Sequence, residues 1–244
     1  MDKKNKAQGE LIYGVHPILE VLKAKRRKII SLYTTRPTPK AWAKIEQLLP
    51  ERSIPIQYVS RDVLTNMAKS NDHQGIVAWV QSFPFRSKPF DTAKHKFLIL
   101  LDGIQDPRNV GAILRSAYCT GAEGIILIEK HAAPLNAAAL KASAGLAEHL
   151  EIMIAPSTPI AVQSLKSAGY SLYLATFEGQ NATTVSYQQP LCLIIGSEGE
   201  GILPSALKTG IHITLAQKTT DISYNASVAG GILMYIIATQ IKKI

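Results

Sequence analysis

The stretch Phe97–Ile128, FLILLDGIQDPRNVGAILRSAYCTGAEGIILI, decides the fold. It begins and ends on continuous apolar runs, FLILL (97–101) and GIILI (124–128). Runs without polar alternation are expected of strands covered on both faces. Between them Val110, Ile113, Leu114 and Ala117 recur at helical spacing. Strand, helix and strand in that order predict a parallel β-α-β unit. The pattern continues outward. SLYLA (171–175), LCLII (191–195) and HITLA (212–216) read as further strands, and NAAALKASAGLAEHL and TPIAVQSLKSAG as helices. A parallel sheet with helices on both faces follows. Ligands of such sheets lie beyond the carboxyl ends of the strands, which singles out the loops after 101, 175, 195 and 216.

Upstream the elements are shorter. PILEVLKAK, PKAWAKIEQLLP and DVLTNMAKS read as helices, the last capped by Asp62. IISLYTT, IPIQYVS and QGIVAWV read as strands. The expected organisation is a small α/β domain over residues 1–82, a Pro-containing linker at 83–96, and a larger α/β domain over 97–244.

Charge divides along the same line. Residues 1–96 hold 18 Lys/Arg against 8 Asp/Glu, and residues 97–244 hold 9 against 10. A basic front part joined to a near-neutral second part suggests a polyanion-binding module. Within KAKRRK (23–28), Lys25, Arg26 and Arg27 are candidate RNA phosphate contacts, or simply a solvated charged turn. The two cysteines, Cys119 and Cys192, have no CxxC or His neighbour, so buried reduced thiols are expected and no metal site is. The apolar runs are too short to span a bilayer, so a soluble, cytoplasmic protein without membrane contact is expected.

Three loops carry polar residues beside buried elements. In LDGIQDPRNVGAILRSA (101–117), Asn109 stands where a helix cap belongs and Arg115 lies off the apolar stripe. In IIGSEGEGI (194–202), glycines let backbone approach a ligand, while Glu198 and Glu200 would repel phosphates. That spacing is neither the dinucleotide fingerprint nor a Walker loop. In DISYNASVAGG (221–231), Ser223 and Asn225 precede a segment that is apolar all round a helix, and so is buried on more than one side.

These loops in this order resemble the SpoU/TrmH family of the SPOUT superfamily, RNA ribose 2′-O-methyltransferases. The carriers are Asn109 and Arg115 in an N-x-G-x-x-x-R pattern, Gly196 and Glu198 in GSEGEG, and SYNASVA near the end. IYGVHPILEVL and HQGIVAWV resemble the substrate-binding domain of the branch that modifies a guanosine of large-subunit ribosomal RNA. The resemblance implies a parallel-sheet SPOUT domain with a deep trefoil knot, a homodimer through that domain, and S-adenosylmethionine as donor. It implies a catalytic group of Arg115, Asn109, Glu198, Ser223 and Asn225, with Gly196, Leu215 and Tyr224 holding the donor. A guanidinium is a reluctant base, so Arg115 is expected to stabilise charge on the 2′-oxygen or to bind the neighbouring phosphate. Ribosomal RNA is preferred; transfer RNA, or a weakly donor-binding RNA- or ribosome-binding relative, is the alternative. The chain departs from the family at Ala216, Gln217 and Thr219, where Pro, Met and Gly are usual, and at Tyr224, where Leu is usual.

Overall fold

A computed structural model describes residues 9–50, 54–130, 132–219 and 222–244. The chain divides into two compact units, one comprising residues up to Pro84 together with Asn136–His149, the other Phe85–Leu135 and Leu150–Ile244.

The first unit has a four-stranded mixed sheet in the order β1-β4-β2-β3. Its strands are β1 (Gly9–Tyr13), β2 (Ile29–Thr34), β3 (Ile56–Tyr58) and β4 (Ile76–Gln81), and its helices α1 (Val15–Ala24), α2 (Trp42–Glu46) and α3 (Arg61–Ala68). β1 and β2 flank β4 antiparallel, and β3 runs parallel to β2. β1 is the strand the sequence reading did not separate. The cap of α3 is Ser60, whose side chain accepts from the Val63 N–H, rather than Asp62, the second residue of the helix. Leu64 of α3 packs with Tyr13 and Val77 in a core cluster.

The segment 136–149 was expected in the second domain. It packs instead with the first unit, as α5 (Ala137–Ala142) followed by one 3-10 turn (Leu146–His149). Asn136 caps α5 by accepting from Ala138 and Ala139 N–H. The segment brings Glu148 onto Arg27, and both side chains are 1% exposed, with Nη2 to Oε1 at 2.5 Å. Arg27 also donates to Glu10 Oε2 at 2.8 Å and to the Gln81 carbonyl at 3.0 Å. Burial pushes the Glu148 carboxyl above its ordinary range, and Arg27 opposes that shift. A buried charge of this kind requires its partner.

The second unit is built on six parallel strands in the order β10-β8-β9-β5-β6-β7. They are β5 (Phe97–Asp102), β6 (Gly124–Ile128), β7 (Ile152–Ala155), β8 (Ser171–Asn181), β9 (Leu191–Gly196) and β10 (Ile211–Thr214). The helices are α4 (Pro107–Cys119), α6 (Thr158–Ser167), α7 (Pro204–Leu207) and α8 (Ala226–Gln240). The central strands β5, β6 and β9 are buried on both faces, as their unbroken apolar runs require. β7 is a half-exposed edge strand, which is why its short run carried little signal.

Two further expectations change. Residues 85–96 are not a free linker: Phe90 enters the core cluster of the second unit, and the Arg86 N–H donates to the Ile152 carbonyl at 2.7 Å, covering the β7 edge. Cys119 is exposed on α4, whereas Cys192 is buried as expected, with its thiol pushed up by desolvation.

β8 contains the irregularity that shapes the site. Leu174 pairs with His212 of β10, and the next pair is Gln180 with Ile213. Residues 175–179 therefore leave the ladder as a wide bulge. Gly179 closes it, where a Cβ would fall 2.7 Å from the His212 carbonyl.

Candidate active site

Beyond the carboxyl ends of β8, β9 and β10 lies a cavity of about 340 Å³. Its walls come from the β8 bulge, the loop after β9, the segment after β10 and the first turns of α8. Ile195, Ile202, Ile213 and Leu233 make much of it apolar. Glu198 and Glu200 are its charged groups, and no Lys, Arg or His lines it among the described residues. A cavity with this sign suits a cationic or zwitterionic small molecule and disfavours a polyphosphate.

The loop after β9 is folded on itself. Ser197 and Gly201 exchange backbone hydrogen bonds, each at 3.0 Å. A Cβ on Gly196 would collide with the Gly201 backbone. Gly196 thus serves the chain's own close crossing, and the loop is closed rather than splayed toward a ligand. Asp102, at the end of β5, fixes this loop from behind. One carboxylate oxygen accepts the Leu203 N–H at 2.8 Å and the other accepts the Thr158 hydroxyl. Asp102 was missed by the sequence reading, although a carboxylate ending a buried run is a usable signal for a polar anchor.

The anchored loop presents Glu198 to two other elements. Asn109 Nδ2 and Asn225 Nδ2 both donate to Glu198 Oε1, the latter at 3.2 Å. Three residues far apart in sequence therefore meet at one carboxylate oxygen. Asn109 is not the cap of α4. Asp106 takes that position, accepting from the Arg108 N–H with Pro107 at the first helical turn, and this frees the Asn109 amide for Glu198. Asn225 does cap α8: its Oδ1 accepts from Ser227 N at 2.9 Å and Ser227 Oγ at 2.6 Å. Ser227, which completes this cap, was also missed; its position two residues past Asn225 was the signal.

Gly196, Glu198, Leu215, Ser223 and Tyr224 line the cavity, and Asn109 and Asn225 adjoin it through Glu198. Arg115 does not line it. It is exposed on α4, and among the described residues its guanidinium has no hydrogen-bond or ion-pair partner.

The basic turn of the first unit separates into different roles. Lys25 ends α1 in a left-handed conformation and is exposed. Arg26 is exposed but donates to the Glu148 and Pro84 carbonyls and lies over the Phe83 ring at 5.9 Å. Arg27 is buried in its ion pair, which removes it from the candidate phosphate contacts.

The chain resembles known proteins along most of its length. The family model described as "SpoU rRNA Methylase family" matches residues 96–235, and that described as "RNA 2'-O ribose methyltransferase substrate binding" matches residues 11–86. The Bacillus subtilis protein YacO, whose name places it among TrmH family tRNA/rRNA methyltransferases, is 31% identical over 93% of this chain and 94% of its own. A 23S rRNA (guanosine-2'-O-)-methyltransferase, RlmB of Vibrio parahaemolyticus, is 30% identical over 95% of this chain and 97% of its own. Among solved structures, an RNA 2'-O ribose methyltransferase superposes with a TM-score of 0.84 at 19% identity, covering 96% of this chain and 90% of its own. The SpoU methyltransferase AviRb of Streptomyces viridochromogenes, solved with AdoMet, gives 0.79 at 22% identity over 99% of this chain and 94% of its own.

Proposed function

The chain belongs to the SpoU rRNA methylase family of RNA 2′-O-ribose methyltransferases, and from that premise we propose that it methylates the ribose 2′-hydroxyl of a guanosine in large-subunit ribosomal RNA. The observation that carries the reading is the meeting of Asn109, Glu198 and Asn225 beside a cavity without a cationic side chain among its described lining residues. The substrate preference draws support from the RNA substrate-binding match over residues 11–86 and from likeness to RlmB.

S-adenosylmethionine suits the cavity. Its volume is at the lower end of the ~300–1,000 Å³ typical of small-molecule sites, enough for one such ligand. The two carboxylates complement a net cationic donor. When bound, the donor supplies a methyl group on a cationic sulfur. Gly196, Leu215 and Tyr224 would hold it, and Ser223 lines the same cavity. Transfer requires the ribose oxygen in line with that methyl, so the residues' main task is positioning. The Asn109–Glu198–Asn225 cluster ties α4, the loop after β9 and the start of α8 into one fixed edge on which a ribose can be oriented. Arg115 presents an exposed planar cation to charge developing on the 2′-oxygen or to the adjacent phosphate.

The reading includes a deep trefoil knot and a homodimer. The chain leaves β10 at the sheet edge, yet α8 packs on α4 and on β9, two strands further in. Passage of the tail inside the loop tied at Ser197 and Gly201 would give the knot, an arrangement that ordinary chain topology avoids. For the dimer, Val228, Ile232 and Tyr235 form an exposed stripe on α8 at i, i+4, i+7 spacing, opposite buried Gly230, Leu233 and Ile237. A second copy covering that stripe accounts for a helix apolar all round. A cytoplasmic location is supported by two free cysteines.

Ribose-methylation mapping of total RNA with and without the protein tests the function. Loss of one guanosine mark in large-subunit ribosomal RNA is expected. Loss of a transfer RNA mark instead would overturn the substrate, and no change in any mark would overturn the activity.

A further inference from the structure

Two exposed aromatic rings stand at the cavity. Phe177 is 72% exposed and Tyr224 is 44% exposed, and both line the cavity. They arrive from separate segments, Phe177 on the β8 bulge and Tyr224 on the residues entering α8. Among the described residues neither contacts another aromatic ring or a cation. Two such residues exposed on one largely apolar site mark a place where a ligand supplies the missing contact.

The backbone holds Phe177 in this position. Thr214 Oγ1 donates to the Phe177 carbonyl at 3.0 Å, and Thr176 Oγ1 donates to the Glu178 carbonyl at 2.7 Å. Gly179 then returns the chain to β10 through a gap that admits no side chain. The bulge is thus fixed beside Phe177 on both sides. On the other wall, the cap formed by Asn225 and Ser227 fixes the backbone next to Tyr224. Both rings are therefore presented from anchored positions, which limits the ordering needed when a flat ring enters.

The only aromatic ring of the donor is its adenine. We propose that Phe177 and Tyr224 clamp that adenine between them and so set the donor affinity of this chain. The clamp rests on the methyl-donor reading above. It adds two specific residues, one of them on a bulge that carries no part of the Asn109–Glu198–Asn225 cluster.

Titration of the full chain with S-adenosylhomocysteine by calorimetry tests it. Phe177→Ala and Tyr224→Leu are each expected to weaken binding about tenfold. Tyr224→Phe is expected to retain it, because the ring and not the hydroxyl is at work. Both side chains are exposed, so melting temperatures should stay at the wild-type value. A Phe177→Trp variant gives a direct readout. The natural tryptophans, Trp42 and Trp79, both lie in the first unit, and the new indole should be quenched by the ligand through stacking. Wild-type binding with unchanged affinity in both truncations would overturn the clamp alone. Unchanged ligand affinity with a raised KM for RNA would also overturn it, by assigning the rings to the target base. No binding by the wild type would overturn the methyl-donor reading and the clamp with it.

Discussion

Asn225 uses the two ends of one amide for two purposes: its oxygen caps α8 and its nitrogen holds Glu198. A substitution can separate them. Asn225→Asp keeps an oxygen for the cap but sets a second carboxylate against Glu198. The expected outcome is stability within about 1 kcal/mol of wild type by thermal melting. Single-turnover methyl transfer should fall by about 10²-fold. Asn225→Ala should lose both, and a variant with normal transfer would show that the cap is the residue's sole role. The polar residues of this cluster were legible because three short patterns preserve their order in the chain. Their geometry was less so. Asn109 looks like a cap from its place before an apolar stripe, but Asp106 followed by Pro107 makes the better helix start. Phe177 was not singled out, since it lies past the apolar run 171–175 and nothing in the sequence says that its ring is 72% exposed at the cavity.

At the scale of elements, the parallel sheet was legible from its apolar runs, because strands buried on both faces leave no polar alternation. The edge strand β7 and the five-residue bulge of β8 were not, since neither changes composition enough to be seen. Residues 136–150 were read as one helix, whereas the chain forms α5 and then a separate 3-10 turn, and their alanine-rich face does not say which core they join. Their contribution can be measured. Glu148→Ala leaves Arg27 buried with only the partly exposed Glu10 as counter-charge, and should destabilise the first unit by about 3 kcal/mol in denaturant unfolding. His73 provides a pH signature in the same unit. Its ring is fully buried, with Nδ1 accepting the Gly75 N–H at 3.0 Å, and burial holds its pKa below the ordinary 6.5. The unfolded chain therefore takes up a proton that the folded ring resists. The stability due to neutral His73 is present above about pH 6.5 and is lost as the pH falls through the folded value. Melting of the first unit should shift downward between pH 7 and pH 5, and His73→Gln should flatten that slope.

For the whole molecule, the exposed stripe on α8 makes the proposed dimer the property to measure. Tyr235→Arg places a charge on that stripe, at a position 61% exposed, where the folded monomer tolerates it. Analytical ultracentrifugation should show a dimer for the wild type and a monomer for the variant at micromolar concentration. A wild-type monomer would remove the second copy from the reading. The charge division seen in the sequence remains a guide to RNA contact, but it overstates the free cations. Arg27 is committed to Glu148 and Glu10, so counting lysines and arginines does not count available ones.

The first unit is discontinuous in sequence, and this governs how the molecule can be cut. A protease nick between Pro84 and Phe85 would not release it, because the chain still joins the units at 135–136 and again at 149–150. A fragment ending at Pro84 would lack α5 and the carboxylate that neutralises Arg27. Supplying residues 136–149 as a separate peptide should restore that fragment, so the first unit of this protein is a candidate for complementation rather than for simple truncation.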